Sequence, residues 1–229
     1  MFNYTLNDVL DHYLIYEISC IFFSLFSLDF MLIFLFGDKA RWFQLHAMVN
    51  LYITYEILPT VVNIMKDPSQ GYKICDNDFI TLLIISLHTY HVISFKNLKP
   101  IDYFHHILFV GLGVLPDLFL IKYNQKYLAY IVASGIPGFF EYTILTLCKN
   151  NLISINRQKQ VNAFLYNFIR MPFCCVAITM NYNAYLNDYL KDNFFITMYV
   201  NTLLYLNGTI FNYLTIVSYV KLRESEKIM

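Results

Sequence analysis

The sequence predicts an all-α, polytopic membrane protein with seven transmembrane helices, and three observations predict it. First, 58% of the 229 residues are hydrophobic and only 14% are charged, against about 25% charged in a soluble domain. Second, a hydrocarbon core about 30 Å thick is crossed by roughly 20 apolar residues rising 1.5 Å each. Seven stretches meet that need, at about 14–36, 44–64, 79–95, 104–121, 127–148, 164–184 and 194–220. Third, the loops between them are short, and seven Gly and six Pro leave no room for low-complexity linkers. The alternating segments of about ten residues that mark a membrane β-barrel do not occur. Sixteen basic and sixteen acidic residues cancel, which argues against a nucleic-acid partner, since such a partner is bound by a net basic face.

Residues 1–13 read as a lumenal or extracellular N-terminal segment. They hold Asp8 and Asp11 and no Lys or Arg, the reverse of a basic signal-peptide leader. The apolar run at 14–36 is too long for a signal core, so it is expected to remain as the first transmembrane helix. Orientation follows from loop charge. With the N-terminus outside, Lys39, Arg41, Lys96, Lys99, Lys149, Arg157, Lys159, Lys221, Arg223 and Lys227 fall on the cytosolic side. Lys66, Lys73, Lys122, Lys126 and Lys191 fall on the other, and residues 221–229 become a cytosolic tail. Cys20, Cys174 and Cys175 lie in spans, Cys148 at a cytosolic helix end and Cys75 on the far side. With no lumenal pair and no CxxC, neither a disulfide framework nor a zinc ribbon is expected. Cys148 is a palmitoylation candidate. A glycosylation sequon at Asn3 faces outside, whereas a second, at Asn207, falls inside the last span and is given no role.

Ionisable groups in a bilayer are costly, so each is a candidate for function. His46 lies near the cytosolic end of the second span, His88 and His91 in the last turns of the third, and His105 and His106 open the fourth. Five of the six histidines thus fall in one layer. Asp102 precedes the His pair by three and four residues, a spacing at which one carboxylate can meet either imidazole and fix its tautomer. Glu141 in the fifth span and Arg170 in the sixth are placed to neutralise each other. Asp29, Asn50 and Asn167 sit at comparable depths, and Asp117 beside Pro116 reads as a packing or kink feature. Together these residues predict a polar cavity open toward the cytosol.

Several function classes fall away. The histidines could supply imidazoles to a metal. A di-iron lipid desaturase needs more of them than the six present, and no metal site is assigned from spacing. The last span has no lysine for a retinal Schiff base. No row of arginines marks a voltage sensor, and no Gly-rich phosphate loop or nucleophile elbow appears. "LHTYHV" at 87–92 resembles the His box of fatty-acid elongases, but Val92 stands where that box has its second adjacent histidine.

Four segments resemble the TLC-domain family, which includes ceramide synthases and the translocon-associated TRAM protein. "FQLHAMVN" matches its early histidine with His46. "PIDYFHHILF" matches its Asp-x-x-His-His element with Asp102, His105 and His106. "ASGIPGFFEY" resembles its small-Pro-aromatic segment around Ser134 and Pro137, and "VNAFLYNFIRMPF" its Asn, Phe and Arg element at Asn162, Phe168 and Arg170. The resemblance implies a six-helix barrel of spans two to seven, over residues 42–220, in the endoplasmic reticulum. The cavity would be lined by His46, Asn50, His88, His91, Ser134, Glu141, Asn167 and Arg170. It also implies membrane lipids as partners, a long-chain base or fatty acyl group among them, and acyl-CoA as the co-substrate if acyl transfer occurs. In that case His105, His106 and Asp102 would be the catalytic residues. Two departures separate the chain from the ceramide synthases. Ile107 follows the His pair in place of a hydroxyl-bearing residue, and the fifth span has no His or Asp. The expectation is therefore a protein that binds, senses or modifies acyl-chain lipids. A ceramide-synthase-like N-acyltransferase is the alternative, and a membrane chaperone or cargo-binding protein the third.

Overall fold

The structure, a computed structural model, describes residues 12–75, 77–96, 98–187 and 194–228. The sequon at Asn3 and the charges Asp8, Asp11 and Lys191 lie outside these. The described chain is helical: α1 (His12–Phe36), α2 (Arg41–Lys66), α3 (Phe79–Ser94), α4 (Pro100–Leu120), α5 (Lys126–Lys149), α6 (Ile155–Leu186) and α7 (Phe194–Ile228). Five of them, α1 and α4 to α7, are long and apolar enough to cross a membrane, which makes the chain an integral membrane protein by length and composition. The two remaining helices fall short for different reasons. With 16 residues, α3 spans about 24 Å at 1.5 Å per residue, less than the hydrocarbon thickness. Its 26-residue neighbour α2 is long enough but carries Arg41, Gln44, His46, Asn50, Glu56, Asn63 and Lys66. Seven apolar stretches thus become seven helices, of which five have the character of independent spans.

Helix limits follow local chemistry. Gly37, at φ +78°, ends α1 in the left-handed conformation and its amide returns to Ile33 O at 2.8 Å. Asn151, at φ +59°, ends α5 in the same way, with Leu152 N reaching Leu147 O at 2.9 Å. Three residues on, Ser154 caps α6 by accepting from Arg157 N at 3.2 Å. Helix α6 therefore starts well before its apolar stretch, and α7 runs on through the segment expected to be a tail. There the residues are good helix formers, and Arg223 pairs with Glu226 one turn away at 3.1 Å. Hydropathy marks what lies in the bilayer, and the helix continues past it.

The chain divides into two compact units. One comprises residues 1–45 and 75–122, with α1, the first turn of α2, α3 and α4. In this unit α1 buries a stripe of Ile21, Leu25, Asp29 and Leu32 and exposes Phe23, Phe26, Phe30 and Phe34 on the other side, an apolar outer face suited to lipid. Asp29 accepts from Tyr90 Oη of α3 at 2.6 Å and takes the guanidinium of Arg41, whose Nε lies 2.9 Å from both carboxylate oxygens. The fork-shaped pair ties α1 to the start of α2, and the Tyr90 bond ties α1 to α3.

The other unit comprises residues 46–74 and 123–229. Helices α6 and α7 form an antiparallel pair with polar rungs: Lys159 to Ser218 at 2.6 Å, Arg170 to Asn207 at 2.7 Å and Asn181 to Asn201 at 2.9 Å. On α2, His46, Asn50 and Thr54 recur at one-turn spacing and face Tyr142, Gly138 and Gly135 of α5. A Cβ built on Gly138 would come within 2.5 Å of Asn50 Nδ2, so a larger residue here would have to displace the Asn50 amide. Small residues at such a contact are a common device of membrane helix packing.

Candidate functional site

Three helices change their hydrogen-bond ladder beside the candidate residues. In α4 the stretch His106–Val114 is π-helical, in α5 Ile131–Gly135, and in α6 Leu165–Arg170. Each ends with an amide reaching five residues back: Leu115 to Val110 O, Ile136 to Ile131 O and Met171 to Tyr166 O. In every case the next residue is a proline, Pro116, Pro137 or Pro172. Proline lacks the N–H and its ring collides with the carbonyl four residues back, and widening the ladder relieves both. Widened turns of this kind often accompany functional residues because they re-aim side chains, and in α4 the widening runs over nine residues.

Within the first unit, the α-helical first turn of α4 ends at His105 and the π-helical stretch opens at His106, and this junction presents both rings to His88 of α3. His88 Nε2 and His105 Nε2 are 3.3 Å apart. One ring nitrogen of each of His88, His105 and His106 lies within 4.8 Å of the other two. The His88 tautomer is set by its other nitrogen: Nδ1 is 2.7 Å from Ile84 O, a carbonyl that can only accept. Nδ1 therefore carries the proton, and in the neutral ring Nε2 offers a lone pair toward His105. Both ring nitrogens of His106 are buried without a hydrogen-bond partner. His91 is fully buried against the edge of His106, with ring centroids 4.7 Å apart, and packs on Trp42 and Phe95.

Asp102 is not brought to the imidazoles. Pro100 starts α4 at its first turn, and Asp102 Oδ2 accepts from the Lys99 amide at 2.8 Å, capping its own helix. The spacing to the His pair is as expected, but the carboxylate turns back to the helix start. What orients the cluster is the Ile84 carbonyl, which no spacing rule singles out.

The second unit holds the other expected residues. His46 and Asn50 are buried on α2, with the His46 ring 4.8 Å from that of Tyr142. Ser134 lies half-buried within the π-helical turn of α5, and Asn167 is exposed on α6. Arg170 and Glu141 do meet, at 3.9 Å, but Tyr166 mediates: its hydroxyl donates to Glu141 Oε2 at 2.5 Å and accepts from Arg170 Nη1 at 2.7 Å. Arg170 Nη2 also donates to Asn207 Oδ1 at 2.7 Å and to Ala133 O at 3.1 Å. The sequon asparagine in the last span thus holds the buried arginine. Tyr166 and Asn207 were hidden among many tyrosines and asparagines, and only the expense of burying Arg170 hinted that such partners exist.

The first unit therefore offers a cluster of imidazoles with one directed lone pair. The second offers a buried polar network, with its charges internally matched. The chain matches no protein family model, no curated protein and no solved structure, so what it does is argued from these residues.

Proposed function

We propose that the chain is a TLC-type lipid-handling membrane protein whose His88, His105 and His106 meet the polar end of an acyl-chain lipid. One observation carries the reading: the histidine cluster has an apolar flank. His105 and His106 sit between Phe104 and Ile107, which are 41% and 64% exposed, on a helix suited to cross a membrane. A molecule approaching along that flank touches hydrocarbon first, which favours an acyl chain, each buried CH₂ contributing about 0.8 kcal/mol. The reading entails seven crossings, with α2 and α3 joining the five apolar spans, and α2 to α7 as a six-helix barrel. It further entails a lumenal N-terminus, a cytosolic C-terminus and residence in the endoplasmic reticulum. In nanodiscs, a photoactivatable long-chain lipid should label peptides of α3 and α4, and excess unlabelled lipid should suppress it. Labelling spread evenly over all spans and insensitive to competitor would overturn the proposal.

A second reading, N-acyl transfer, is favoured by the lone pair that His88 turns toward His105. In that reaction His105 or His106 takes a proton from the amine of a long-chain base as its nitrogen attacks the acyl-CoA carbonyl. The C–S bond breaks, and CoA leaves as the thiolate. N-acyl product measured by mass spectrometry should then fall about a hundredfold or more in His105→Ala. Absence of product from the parent protein removes acyl transfer and leaves lipid binding standing.

A further inference from the structure

We infer that His88, His105 and His106 form a binding site for one divalent transition-metal ion of the zinc class, with a fourth coordination position open. Four features on two helices lead there, and none depends on the lipid proposal.

The first is a distance. Nitrogens bound to a tetrahedral zinc lie about 2.0–2.1 Å from the ion, which sets neighbouring nitrogens about 3.3–3.4 Å apart. His88 Nε2 and His105 Nε2 are separated by 3.3 Å. The 3.3 Å separation also fits a long N–H···N hydrogen bond between the rings, so the spacing is that of two ligands on one ion without being unique to it.

The second is the orientation of His88. Metal-bound imidazoles nearly always donate their other N–H to a carbonyl or carboxylate, which fixes the tautomer and directs the lone pair. Nδ1 of His88 does this with Ile84 O at 2.7 Å. The third is His106, whose two ring nitrogens are buried without a hydrogen-bond partner. Burying polar atoms unpaired is costly, and a metal bond satisfies one of them directly. Its ligand nitrogen lies within 4.8 Å of the other two, so the site as proposed requires this ring to move inward when the ion binds.

The fourth is the donor chemistry. All three donors are imidazoles, which suit zinc, copper, nickel or iron and not the oxygen-seeking magnesium or calcium. Three protein nitrogens leave a position for water or an anionic ligand, as in catalytic rather than structural zinc sites. Spacing along the sequence could not assign this site, because His88 and His105 are seventeen residues apart across the turn between α3 and α4.

The test uses the full chain in nanodiscs after chelation. Titration with Co²⁺ should give one equivalent bound, with the intense visible bands of tetrahedral cobalt, displaced by Zn²⁺. His88→Ala, His105→Ala and His106→Ala should each weaken binding at least tenfold, while Cys148→Ala leaves it unchanged. His105→Cys guards against simple misfolding: it should keep stoichiometric binding and add a sulfur-to-cobalt charge-transfer band in the near ultraviolet. No stoichiometric binding of Co²⁺ or Zn²⁺ by the parent protein overturns the inference. So does binding that survives all three alanine substitutions, or a cysteine variant that binds with no sulfur band.

Discussion

Asp29 shows what a single carboxylate can do in a helix otherwise suited to lipid. It is 1% exposed, and its oxygens are occupied by Arg41 and Tyr90. Asp29 is the buried member and Arg41 keeps 31% exposure, so removing the carboxylate costs its charge-assisted hydrogen bonds, about 1.5–3 kcal/mol, and strands no buried charge. Asp29→Ala is therefore expected to lower the thermal midpoint in detergent sharply, and Tyr90→Phe to do so by less. Tyr166 has the equivalent place in the second unit. Tyr166→Phe removes its bonds to Glu141 and Arg170 together, and a loss of about 1–3 kcal/mol in denaturant unfolding is the expected result. Outside the spans, Asp67 accepts from Gln70 Nε2 at 2.8 Å and from Ser69 N at 3.0 Å. These bonds, that from Gln70 foremost, hold its carboxyl below the ordinary 3.8. A depressed carboxyl supports the turn at neutral pH and releases it as pH falls through its lowered value. The Ser69 amide resonance should move in that acidic window in the parent and stay still in Asp67→Asn.

Among the elements, the three π-helical turns account for most of what local pattern did not reveal. The prolines were visible in the sequence, and Pro116 read as a kink. That the helix would widen just before each of Pro116, Pro137 and Pro172, while α2 runs through Pro59 without widening, was not. The widening matters because restoring a regular ladder turns a helix by about 100° per residue gained. Pro116→Ala is expected to let α4 close up and swing His105 away from His88. In a cysteine-free background, cysteines at 88 and 105 should be bridged by a short bifunctional thiol reagent that spans the two facing rings' positions, and Pro116→Ala should abolish most of that product. Close approach in the second unit gives a separate expectation. Gly138→Ala forces Asn50 aside and should cost about 1–3 kcal/mol by overpacking, read as a lowered thermal midpoint.

At the scale of the molecule, the predicted topology places Cys75 and Cys148 on opposite sides of the membrane. With each as the sole cysteine, a membrane-impermeant maleimide should label Cys75 only from the lumenal side and Cys148 only from the cytosolic side. Labelling of both from one side would end the seven-crossing arrangement. All seven helices were legible in the sequence, because a run of apolar residues leaves the backbone no option but to satisfy its own hydrogen bonds. The cost of placing His105 and His106 in an apolar helix was legible too. The polar residues that weaken α2 as a span were visible but outweighed by its apolar ones. The sequence did not reveal that α3 stops at 16 residues, or that α6 and α7 extend past their apolar stretches. Nor did it show that Asp102 serves its own helix while His88 joins the His pair. Periodicity and spacing along one chain determine which residues are helical and which are expensive to bury. Only tertiary packing decides which partner offsets that expense, because the partners, Asp29 with Tyr90 and Arg170 with Asn207, are brought together by folding and not by sequence.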